Sequence, residues 1–218
     1  MPETYFPYGE TEIAHLKARD PKLAAAMDAI GSIRRTVTPD LFAALINAII
    51  GQQISTKAQV TVWNRLTTRF SPLTAEALAA ADAQELQRCG TSLRKAEYIR
   101  EIALAVQSGA LDLAQLAALS DEEVCARLSQ LRGIGVWTAE MLLIFSMQRP
   151  NVLSMGDLAI LRGMRMLYRH RKITPQLFAK YKRRYSPYAT TASLYLWSIA
   201  GGAIEGLSDP AGRAAKSG

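Results

Sequence analysis

The sequence predicts an all-α fold, and three observations predict it. Apolar residues recur at helical spacing along the chain, capping residues followed by proline or acidic side chains punctuate it, and no convincing run alternates polar with apolar residues. At 218 residues and 49% hydrophobic, the chain can form one large domain or two small lobes with a real core. It should fold alone. No apolar stretch approaches the roughly 20 residues needed to span a bilayer. The opening "MPETYFPYGETEIAH" has neither the basic start nor the apolar stretch of a signal peptide, so a soluble cytoplasmic protein is expected. Cys89 and Cys125 lie far apart with no His or Cys at metal spacing near either. That argues against a zinc site or an iron–sulfur cluster and predicts reduced, buried thiols.

The elements follow in order. Asp20-Pro21, Thr38-Pro39, Thr174-Pro175 and Ser186-Pro187 each place a capping side chain before a proline suited to the first helical position. After Thr38-Pro39, Phe42, Leu45, Ile46, Ile49 and Ile50 form an apolar stripe that Gly51 is expected to end. Further helices are predicted at 56–68, 74–88, 93–107, 121–129, 137–147, 157–170, 175–184 and 188–200, with Ser120 and Glu123 forming a capping box before the fourth of these. Nothing before Thr38 reads as strands. Short helices without a low-complexity linker suggest two lobes sharing a cleft: 1–38 with 150–205 as a terminal lobe, and 39–149 as a central lobe. Residues 206–218 are small and polar and are expected to fray.

Charge narrows the function. Between Leu158 and Ile204 there is no Asp or Glu, while nine Lys and Arg residues exceed the whole chain's net +7. Such a one-sided region is the electrostatic footprint of a polyanion, and nucleic acid is the commonest one. A solvated basic helix face is the alternative. Arg162 and Arg165, on the helix that opens this region, are the expected phosphate contacts.

The segment "LSQLRGIGVWTAEML" joins two helices through a Gly-x-Gly turn, with residues 129–137 as the hairpin. Glycine tolerates positive φ and admits a partner close to the backbone, so several N–H groups at the next helix start can point at one phosphate. Arg132, Gly133, Ile134, Gly135 and Thr138 are the candidate DNA-binding residues; the contact would grip the duplex without reading its sequence. The alternative is that Gly133 caps one helix and Gly135 relieves crowding. About twenty residues on, Asp157 stands at the head of the basic helix. A lone Asp there is ordinarily a cap.

Hairpin, aspartate and basic helix in this order resemble the helix-hairpin-helix DNA glycosylases with a Gly/Pro-rich loop and an essential Asp. The likeness is closest to the alkylation-repair branch, the DNA-3-methyladenine glycosylase II type, and extends from about Phe42 to Trp197. "LINAIIGQQISTKAQ", "GTSLRKAEYIREIA" and "YSPYATTASLYLW" resemble other segments of that family. The resemblance implies a DNA-binding cleft between the lobes, base flipping into it, and base excision repair of alkylated duplex DNA by a monomer, nucleoid-associated if the chain is bacterial. It makes Asp157 the catalytic carboxylate, and Trp137 an aromatic wall of the base pocket with Tyr188 a weaker candidate beside it. Core packing is the better reading for Trp197 and Trp63, and packing between lobes is the alternative for Trp137. In "GQQIS", Gln53 with Gln52 beside it falls on the family's minor-groove wedge; capping the helix end is the alternative for both. No cofactor is implied beyond a Na+ or K+ ion on the backbone carbonyls of Ser129, Leu131 and Ile134. Members that also cut the strand carry a lysine where this chain has Trp137, so hydrolysis without strand cleavage is expected. A glycosylase for an oxidised, deaminated or mismatched base, and a DNA-binding protein without chemistry, remain open readings.

Overall fold

A computed structural model of the chain describes residues 3–211. In chain order the elements are β1 (Thr4–Tyr5), α1 (Glu10–Arg19), α2 (Pro21–Ile30), β2 (Thr36–Val37), α3 (Leu41–Gly51), α4 (Thr56–Arg69), α5 (Ala75–Ala80), α6 (Ala83–Gln87) and α7 (Leu93–Gln107). They continue with α8 (Leu113–Leu116), α9 (Asp121–Leu128), α10 (Val136–Phe145), α11 (Leu158–Tyr168), α12 (Pro175–Tyr185) and α13 (Ala189–Ala200). The fold is helical, as its periodicity predicts. Two compact units divide it: the chain ends, 1–37 with 148–218, form a terminal unit, and 38–147 form a central one.

Local chemistry explains where most helices start. Asp20 Oδ1 accepts from the N–H groups of Lys22 (3.1 Å) and Leu23 (3.0 Å), with Pro21 in the first turn of α2, and Thr174 does the same for Leu177 ahead of Pro175. Ser120 and Glu123 form both bonds of a capping box. Two proline signals mislead. Past Thr38-Pro39 the cap is Asp40, which accepts from Ala43, and α13 begins beyond a cis Ser186-Pro187 bond with Tyr188 at its N-cap. The helix predicted over 74–88 is two, because Asp82 accepts from Glu85 N–H (2.6 Å) and restarts the chain as α6. Asp112 likewise caps the short, unforeseen α8.

The two strands also depart from expectation: Thr4 pairs with Val37 and Tyr5 with Thr36, antiparallel, each only two residues long and so too short to show alternation. Cys89 is buried as expected, whereas Cys125 is half-buried.

In the central unit α5 and α6 pack on α7, α9 on α10, and α3 against α4, α7 and α10. The α3 stripe Leu45, Ile46, Ile49 and Ile50 is fully buried, each side chain contributing roughly 1.5–3 kcal/mol of transfer free energy.

In the terminal unit α11 lies against α13. Gly163 makes that possible, since a Cβ there would run into the backbone carbonyl of Leu196. A polar network is buried beside this core. Asp20 Oδ2 accepts from Tyr168 Oη (2.7 Å) and Arg184 Nη1 (2.7 Å), and Tyr168 shares a 2.6 Å hydrogen bond with Tyr185. Burial first, then the neighbouring phenol and Asp20, pushes the Tyr168 hydroxyl far above its ordinary range. Every member is hydrogen-bonded, which is what makes a buried polar cluster tolerable.

One ion pair reaches the stretch beyond α13. Asp209 holds Arg165 through two parallel bonds, Arg165 Nε to Oδ1 at 2.9 Å and Nη2 to Oδ2. Of the stretch expected to fray, 206–211 includes this paired aspartate, and 212–218 lie outside the described residues.

Candidate nucleic-acid interface

The central unit carries the hairpin between α9 and α10. Its turn closes with Leu131 N–H donating to Leu128 O (3.1 Å) and Ile134 N–H donating to Leu131 O (3.0 Å). Gly133 takes φ +88, and a Cβ there would sit 2.6 Å from Tyr98 Cδ2 and 2.8 Å from Ile49 Cδ1. Both conformation and space require glycine. Gly135 is the N-cap of α10 and supplies no side-chain cap hydrogen bond. The buried Ile134 anchors the turn and can offer only its backbone. Beyond it Val136 and Trp137 are 61% and 49% exposed, an unusual arrangement for large apolar side chains, while Thr138 is half-buried.

Arg132 lies over the Tyr98 ring, its guanidinium carbon 4.9 Å from the centroid, and donates to Glu101 Oε1 at 2.6 Å. Arg94 stands 6.0 Å from the same ring. Nothing in the α7 sequence marks Tyr98 as the residue on which Gly133 and Arg132 both rest.

The Gln52–Ser55 loop after α3 meets this hairpin. Gln52 Nε2 donates to Gly133 O at 2.6 Å, so its side chain is committed to the protein. Gln53 is exposed and left-handed at φ +56. Of the two candidate wedges, only Gln53 presents its side chain outward. Lys95, which sequence reading passed over, donates to Ile50 O (2.8 Å) and Gln52 O (2.6 Å). Burial, with Arg94 nearby, lowers its pKa from the ordinary lysine value.

The candidate carboxylate is in the terminal unit. Asp157 is 6% exposed and caps α11, its Oδ1 accepting from Ala159 N–H and Ile160 N–H, both at 2.9 Å. Capping is thus part of its role. Next to it in sequence, Leu158 is 81% exposed and Met155 is 38% exposed, two apolar side chains that periodicity had not singled out. Tyr188 is half-buried, its ring edge-on to His15 at 5.1 Å and its N–H donating to Tyr185 O. Arg162 is exposed. Arg165, the other expected phosphate contact, is half-buried and paired with Asp209.

Among the described residues no cluster of three or more His, Cys, Asp or Glu could hold a metal, and no helix is long and apolar enough to cross a membrane.

Residues 46–187 match the model of the HhH-GPD superfamily of base excision DNA repair proteins. DNA-3-methyladenine glycosylase 1 of Schizosaccharomyces pombe is 38% identical over 158 residues, covering 70% of this chain and 69% of that protein. The crystal structure of a DNA-3-methyladenine glycosidase from Bacillus halodurans superposes with a TM-score of 0.81 at 33% identity, over 91% of this chain and 93% of the other. An S. pombe 3-methyladenine DNA glycosylase in complex with abasic DNA superposes at 0.73 with 32% identity, over 86% and 95%. With the hairpin, the capped aspartate and these likenesses together, the chain belongs to the HhH-GPD superfamily of base excision DNA repair proteins.

Proposed function

We propose that this protein is a monofunctional DNA glycosylase that everts alkylated, cationic bases such as 3-methyladenine from duplex DNA and hydrolyses the N-glycosidic bond, leaving an abasic site. The buried Asp157 at the head of α11 carries this reading, because a surface that only binds phosphate gains nothing from a carboxylate. Relatives named as 3-methyladenine glycosylases, one of them bound to abasic DNA, support it.

A cationic purine is already a good leaving group and needs no enzyme acid, so one carboxylate suffices. As the bond lengthens the deoxyribose gains oxocarbenium character, which Asp157 stabilises, or it orients the attacking water. At about 4 Å and an effective dielectric of about 20 the attraction is roughly 4 kcal/mol, about a thousandfold in rate. That is an upper bound, since the basic neighbourhood opposes a cation. Trp137, exposed on α10, stacks on the everted base; an indole face over a cationic ring contributes roughly 0.5–2 kcal/mol. Gln53 fills the gap left in the duplex, where eversion costs a few kcal/mol.

At the hairpin, the carbonyls of Ser129, Leu131 and Ile134 would hold a Na+ or K+ ion, which would add positive charge beside a phosphate. The buried Ser129 Oγ, without a hydrogen-bond partner among the described residues, fits a polar guest there.

The test is release of free base from methylated duplex DNA. Appearance of 3-methyladenine establishes the activity and its substrate class; no release refutes the reading.

A further inference from the structure

The last carbonyls of a helix have no partner within it and must find one elsewhere. At the end of α3 the partner comes from α7. Lys95 Nζ bridges Ile50 O and Gln52 O, a cation on the negative end of the helix dipole. Gln52 then faces two ways: its main chain is held by Lys95, while its side chain donates to Gly133 O in the hairpin. The following residue, Gln53, holds a left-handed conformation that non-glycine residues adopt only when their surroundings impose it.

We propose that Lys95 is a positioning residue for base eversion: by clamping the carbonyls of Ile50 and Gln52 it sets Gln53 outward and, through the Gln52–Gly133 bond, joins the wedge loop rigidly to the phosphate-binding hairpin. This rests on the glycosylase reading above. Its consequence is that the grip on the backbone and the filling of the duplex gap arrive in one geometry. Gln53 does not have to search for the gap after the hairpin docks. Lys95 touches neither base nor sugar.

Lys95→Met keeps the aliphatic stem and removes the donors. Excision of a lesion paired in duplex should fall about tenfold or more, as expected for losing charged hydrogen bonds. Excision of the same lesion opposite an abasic site, where unstacking is cheap, should fall less than about threefold. Lys95→Arg should recover part of the loss on the paired substrate. Equal losses on both substrates, or none on either, would overturn the proposal. Hydrogen exchange gives a readout that needs no catalysis: amides of 51–55 and 132–135 should exchange faster together in Lys95→Met, with the remaining central helices unchanged. Faster exchange throughout the unit, or in one segment alone, would refute the clamp. Should wild type release no base from either substrate, the glycosylase reading falls, and the exchange result alone decides whether Lys95 couples loop to hairpin.

Discussion

Gly133 packs directly against Tyr98, close enough that a single added methyl would lie 2.6 Å from the ring. The left-handed φ of +88 adds strain for any L side chain. Gly133→Ala should lower stability by about 1–3 kcal/mol and weaken duplex binding more than its stability loss explains. Thermal unfolding and fluorescence anisotropy on the same variant would check this; unchanged binding would remove the hairpin from the interface.

Asp157 caps α11, and the proposed function gives it a second, separable duty, stabilising charge on the sugar. An asparagine oxygen can still accept from Ala159 and Ile160, so Asp157→Asn should abolish base release while stability and duplex affinity survive. Asp157→Ala should additionally cost about 1 kcal/mol through the lost cap. Parallel loss of binding and release in the Asn variant would make the residue purely structural.

Trp137 cannot form a Schiff base. Borohydride added during turnover should therefore trap no protein–DNA adduct, and Trp137→Ala should slow release several-fold without abolishing it. A trapped adduct detected by gel would contradict the monofunctional assignment.

Arg162 and Arg165 share a helix but differ in surroundings, Arg162 exposed and Arg165 paired with Asp209. Affinity for duplex should fall with rising salt, and Arg162→Ala should reduce the slope of log affinity against log salt by about 1. Arg165→Ala should leave the slope unchanged and cost about 1 kcal/mol of stability instead, because its guanidinium is held by Asp209. Titrations at several salt concentrations separate the two.

The same pair makes a pH prediction. Hydrogen bonds from Arg165 hold the Asp209 carboxyl below the usual carboxylate range. The unfolded chain therefore binds more protons than the folded one just below pH 4, and stability rises with pH through that window. The pair's contribution should be complete above about pH 4 and fade as pH falls through the lower folded value. Melting temperatures of wild type and Asp209→Asn, different at pH 7, should converge in acid; a gap that persisted would show that the pair acts through packing.

What the sequence determined by itself is local. Helix periodicity, the caps at Asp20, Ser120 and Thr174, the Gly-x-Gly turn and the aspartate at the head of α11 each depend on residues within about one helical turn of one another, where side-chain chemistry dictates backbone geometry. The misreadings were local as well: Asp40 and Asp82 outcompeted neighbouring signals of similar strength. Only the tertiary structure decided how these parts are held. Gln52 meets Gly133 across 81 positions, Lys95 meets Gln52 across 43, and Arg165 finds Asp209 across 44. A glutamine, a lysine and an arginine are each versatile donors whose sequence context does not name their acceptor. Packing brings that acceptor within reach, so the choice between a solvent-facing contact and an internal clamp is made by the fold.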